Sequence, residues 1–127
     1  MARMFIQALL VMVGGAIGSL GRYWVQNLAA GQASFFGAPV GTLTVNVLGC
    51  FAIGALGAIG QGAAGLREEL RLFLMTGVLG GFTTFSAFGL ETIALAFSGS
   101  ISKAIINVAL SNILGIGAAC LGYKMLK

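Results

Sequence analysis

The sequence predicts an all-α membrane protein of four spanning helices, with the third helix broken partway across. Three observations predict it. Of 127 residues, 58% are hydrophobic and only 8% are charged, whereas a soluble domain carries about 25% charged residues to face water. Four apolar stretches, each near the ~20 residues that a spanning helix needs, nearly exhaust the chain, which reads as one domain over residues 1–127. The third stretch contains Gly80 to Glu91, "GGFTTFSAFGLE": a glycine pair, three hydroxyls and a carboxylate where a plain helix would serve.

Span one is read from Met4 to Ala29. Its start, "MARMFIQALLVMVGGAIGSLGR", lacks the isolated short apolar core of a signal peptide and reads as mature helix. The break "AAGQASFFGAP" follows, and its Pro39 suits the start of a helix. Span two is read from Val40 to Gly60, and the loop "QGAAGLREELR" then holds four of the ten charges. Span three is read from Leu72 to Phe97, "SGSISK" as a turn, and span four from Ala104 to Tyr123.

Arg3, Arg67, Arg71, Lys124 and Lys127 fall on the side of the termini, and Arg22 and Lys103 towards the other. This excess of cations places the termini in the cytoplasm. The net charge of +4 is membrane-flanking charge: no basic cluster with interleaved aromatics exists, so no nucleic-acid partner is expected. Cys50 and Cys120 lie within apolar segments and the chain has no histidine, which favours buried small hydrophobes over a metal or disulfide pair. With one intramembrane acid and no histidine, no acid–base pair can be assembled, and an enzyme is not expected. Small residues recur four apart at Gly14 and Gly18, Gly15 and Ser19, Cys50 and Gly54, Gly77 and Gly81, and Ala118 and Gly122. Such faces let helices approach closely in lipid. Four short helices of this kind enclose little alone, so the working unit is expected to be an oligomer.

Polar residues at membrane depth are costly and mark candidate sites. Arg22, in "GSLGRYW", is either an interfacial anchor beside Tyr23 and Trp24 or a charge at a pore mouth. "GTLTVNVLG" puts Thr42, Thr44 and Asn46 in span two, where an amide serves either as interhelical glue or as a pore donor. In the third span Gly80 and Gly81 weaken the helix, and Thr83, Thr84 and Ser86 compete with its hydrogen-bond ladder. A break there frees carbonyls and amides, which is tolerated only against protein or a water-filled cavity. The expectation is an ion site at a broken helix. Phe82, Phe85 and Phe88 form a stripe that is either packing or a set of positive ring edges for an anion. Glu91, one turn beyond Phe88, faces a wet vestibule or pairs with a donor. Asn107 and Ser111 share a face of span four, with Asn112 adjacent.

Together, "GVLGGFTTFSAFGLE", "GTLTVNVLG" and "GSLGRYW" on a four-span chain resemble the Fluc (CrcB) family of bacterial fluoride channels, over nearly the whole chain. The resemblance implies an antiparallel homodimer in the bacterial inner membrane. It implies two fluoride pathways that export fluoride passively, and a central structural sodium ion. Backbone carbonyls of Gly80 and Thr83 would hold the sodium. Phe85 and Phe88, not Phe82, would present ring edges to fluoride, with Asn46 as pore amide and Thr44 just before it. Ser86, Glu91, Ser111 and Arg22 match other positions of the pathway. The chain departs from the family pattern at Ala87, where a hydroxyl is frequent, and at Asn107, where a tyrosine is frequent. Asn107 is kept in the pathway for its place on the polar stripe. The rival readings are a small four-helix dimeric proton-coupled exporter and a non-transporting assembly subunit.

Overall fold

The computed structural model describes residues 1–29, 35, 37–61 and 65–127. The described chain is helical: α1 (Ala2–Ala29), α2 (Val40–Gln61), α3 (Glu68–Arg71), a π-helical segment (Leu72–Leu79), α4 (Gly80–Phe82), α5 (Phe85–Phe97) and α6 (Ile101–Met125). Helices α3 to α5 form one interrupted rod, Glu68–Phe97, so among the described residues four helical units are long and apolar enough to cross a membrane. The protein is a multi-pass membrane protein. Its outward surface fits that solvent: Met12, Ile17, Trp24, Leu48, Ile53, Ile113 and Ile116 are all exposed.

The expected spans exist, with shifted ends. Span three begins at Glu68 and span four at Ile101, so the turn expected over "SGSISK" contracts to 98–100. The reason is a compact helix end. The Gly99 amide donates to the Ala96 carbonyl (3.1 Å) and the Ser100 amide to the Leu95 carbonyl (3.0 Å). This closes α5 through a left-handed residue, Gly99 at φ +81°. Pro39 stands immediately before α2, its carbonyl accepting from the Leu43 amide at 3.1 Å. The rest of the break before it, and part of the charged loop after α2, lie outside the described residues.

Small residues set the packing. α1 runs against the π-helical segment and α4, α2 packs on α6, and α5 packs on α6. A Cβ at Gly14 would come within 3.0 Å of the Gly77 Cα, and one at Gly18 would overlap the Val78 carbonyl. Gly81 likewise presses on the Gly15 carbonyl, Gly54 on that of Ala119, and Gly122 on that of Phe51. Backbone thus meets backbone along both helix pairs, the close approach that holds helices together where lipid supplies no hydrophobic drive.

The ends of the bundle sort the charges. Arg3 pairs with Glu68, and Gln7 Nε2 donates to the same carboxylate at 2.9 Å. The Tyr123 hydroxyl donates to Gln61 Oε1 at 2.9 Å, so both termini, the end of α2 and the start of α3 share one end. Lys103 lies at the other, its side chain against Gly37.

Candidate ion site at the helix break

The third span breaks at Thr83 and Thr84, both in extended backbone, φ/ψ −84°/158° and −151°/116°. Gly80 and Gly81 themselves stay helical, so the interruption falls three residues later than the glycine pair suggests. The glycines have another role: Gly81 lets the rod press against α1. Asn46 holds the break open. Its Nδ2 donates to the Thr84 carbonyl (3.0 Å) and its Oδ1 accepts from the Thr84 amide (2.8 Å). One side chain from α2 therefore satisfies both backbone groups of a residue that has left the helix.

The same bonds disturb the ladder on either side. In a continuous helix the Thr84 amide would close on the Gly80 carbonyl, and the Ala87 amide on the Thr83 carbonyl. The first is taken by Asn46 Oδ1. The second is taken by Thr84 Oγ1 at 3.1 Å, which makes Thr84 the N-cap of α5. Gly80 and Thr83 thus keep carbonyls deprived of their α-helical donors. Thr83 ties its own side chain back to the Leu79 carbonyl at 2.9 Å. Gly49 makes room for the break, since a Cβ there would overlap the Thr83 methyl.

A cavity of about 360 Å³ lies over the break. Asn46, Gly80, Thr83, Thr84, Phe85, Phe88 and Ser111 are among the residues that line it. Met75 and Leu79 join them, so α2, the π-helical segment, α4, α5 and α6 meet there. The Phe85 and Phe88 rings stand 5.5 Å apart, centroid to centroid, tilted by 48°. Phe82 turns the other way, its ring near Gly21 and Gly49. Ser86 is exposed beside the cap, its Oγ 3.2 Å from Thr84 Oγ1.

A second polar group lies beyond this cavity. Gln26 Nε2 donates to Thr42 Oγ1 (3.3 Å), and Thr42 Oγ1 donates to Glu91 Oε1 (2.6 Å). Glu91 Oε2 is buried and meets no donor among the described residues. Nearby, Asn107 is buried and donates to Thr92 Oγ1 (2.9 Å), which donates to the Phe88 carbonyl (2.7 Å). Asn107 and Ser111 do share a face of α6, yet they do different work: one fastens α5 to α6, the other borders the cavity. Thr44 and Arg22 are half-buried on α2 and α1, and neither lines the cavity. Sequence reasoning named Thr42 and Thr84 among the polar groups of the spans but gave neither a role in the site, and it did not name Gln26. A threonine before an apolar run is an N-cap signal, which was the available pointer to Thr84. Nothing local points to Gln26, whose partner is 16 residues away.

Residues 9–123 match the family described as CrcB-like protein, Camphor Resistance (CrcB). The chain belongs to the CrcB family. Similar curated proteins agree. A protein of Methylobacillus flagellatus named fluoride-specific ion channel FluC is 38% identical over 121 residues, covering 95% of this chain and 94% of its own. One of Rhizobium etli with the same name is 46% identical over 125 residues, covering 96% and 97%. One of Thermus thermophilus, again so named, is 47% identical over 117 residues, covering 92% of each chain. The CrcB match thus includes the break, the cavity and the Gln26–Thr42–Glu91 group.

Proposed function

We propose that this CrcB-family chain is a fluoride-selective channel that lets fluoride leave the cytoplasm passively across a bacterial inner membrane. The relatives' names support the ion, and membership of a family of channels speaks against an enzyme. The observation that carries the mechanism is the double displacement at the break. Side chains take the Thr84 and Ala87 amides, leaving two carbonyls on one side and the N-terminal end of α5 beside a cavity on the other.

Fluoride is small and strongly hydrated, so a selective path must replace its water with close donors. The Asn46 amide carries two N–H groups and spends one on Thr84, which leaves one for an anion. The Phe85 and Phe88 rings offer positive edges, which attract an anion without a trapping hydrogen bond. The N-terminus of α5 adds the favourable end of a helix dipole. Ser111 and Ser86 extend the hydroxyls on either side, and Thr44, Asn107, Glu91 and Arg22 mark the outer stretches of the pathway.

The working unit is an antiparallel homodimer with two pathways. Gly80 and Ser86 are exposed in a single chain at membrane depth, and polar backbone that has lost its ladder cannot face lipid. A second copy placed over this face covers it. The Gly80 and Thr83 carbonyls, twice over, form a neutral oxygen set suited to a sodium ion. Among the described residues no cluster of His, Cys, Asp or Glu competes as a metal site. Bound there, sodium would supply positive charge that offsets the cost of nearby anions.

Purified protein in liposomes loaded with fluoride should release it, as read by a fluoride electrode. No release, or chloride leaving as fast, refutes the reading.

A further inference from the structure

The Gln26–Thr42–Glu91 group has a direction. A threonine hydroxyl has one proton, and at 2.6 Å from Glu91 Oε1 that proton points at the carboxyl. This length lies within the ordinary range of an O–H···O bond. Thr42 Oγ1 can then only accept from Gln26, and the Gln26 amide supplies an N–H at 3.3 Å. Without that donor the threonine oxygen keeps an unmet acceptor site, and its bond to Glu91 alone is left to orient the hydroxyl. Thr42 is only 4% exposed, so no solvent replaces the lost bond. The group joins three helices: Gln26 on α1, Thr42 on α2 and Glu91 on α5.

We infer that Gln26 is a positioning residue for Glu91, acting through Thr42 to hold Oε1 engaged and to turn Oε2 into the protein. The inference rests on the proposed place of Glu91 in the anion pathway. A carboxyl held by one oxygen presents a fixed polar group to the pathway. Released, it swings, and the outer stretch loses a defined electrostatic shape. Met has nearly the shape of Gln and lacks the donor, so Gln26→Met removes the bond and little volume. Thr42→Val removes the hydroxyl at constant shape, and Thr42→Ser keeps it.

Fluoride efflux from liposomes should fall about three- to tenfold in Gln26→Met, the span a single hydrogen bond accounts for. Thr42→Val should lose at least as much, and Thr42→Ser should stay near the unsubstituted rate. The double variant Gln26→Met, Thr42→Val should equal Thr42→Val alone, because the route from Gln26 runs through the hydroxyl. Additive losses in the double variant, or equal losses in Thr42→Ser and Thr42→Val, overturn the inference. A readout independent of flux is available because the chain has only three acidic side chains. The Glu91 carboxyl stretch, assigned in the infrared by subtraction of Glu91→Gln, should shift in both Gln26→Met and Thr42→Val. An unshifted band in Gln26→Met overturns the positioning role even if fluoride conduction holds. A shifted band in protein that conducts no fluoride sinks the channel reading and keeps the positioning.

Discussion

Replacing Asn46 by leucine tests the break most directly. Leucine keeps the shape of the side chain and removes both bonds to Thr84, at 3.0 and 2.8 Å. Thr84 is only 6% exposed, so water does not restore them. Each lost bond is worth about 1 kcal/mol net, and each orphaned backbone group adds desolvation, so the total is about 2–4 kcal/mol. At the lower figure the open break falls about 30-fold in population against a closed helix, taking 1.4 kcal/mol per tenfold. The substituted protein should therefore release fluoride more slowly from liposomes, by up to about 30-fold at that figure. Its Thr84 amide should also exchange its hydrogen differently, which mass spectrometry of peptides spanning the break would show. Release at the unsubstituted rate together with unchanged exchange would refute the claim that Asn46 holds the break.

Five other substitutions probe three separate links. Gly18→Ala places a methyl against the Val78 carbonyl and should lower resistance to denaturant sharply, by about 2 kcal/mol or more, whereas Gly60→Ala meets nothing within 4 Å and should be neutral or stabilising by up to about 1 kcal/mol; equal effects would show that the glycine faces do not control packing. Phe85→Ile and Phe88→Ile keep apolar bulk but remove the ring edges, and should each slow fluoride greatly while leaving the protein folded; unsubstituted flux in both would make the rings packing alone. Glu91→Gln retains an acceptor for Thr42 and removes the carboxylate, so fluoride should still move down its gradient, more slowly and with no coupled proton; loss of transport together with proton coupling in the parent would support an exporter instead.

The sequence by itself determined the class and the rough spans. Composition does this alone, because a chain with 8% charged residues cannot cover itself in water. It also pointed to the small-residue faces, since Gly14 and Gly18, and Gly77 and Gly81, recur at helical spacing, and Gly14 meets Gly77 while Gly81 meets Gly15. It flagged an interruption between Gly80 and Glu91 because glycines and hydroxyls both oppose a helix. What it could not fix was the residue at which the helix opens. Local preference favours the glycine pair, yet the helix runs through it and opens at Thr83 and Thr84. That choice belongs to Asn46, 38 residues earlier, whose amide replaces the ladder at Thr84 alone. Likewise Asn107 and Ser111 share a face by spacing, but only the packing of α5 on α6 makes one a fastener and the other a cavity wall. Gln26 was silent in the sequence for the same reason. Its meaning lies in a hydroxyl on another helix, and only tertiary structure brings a donor, a hydroxyl and a carboxyl from α1, α2 and α5 into one line.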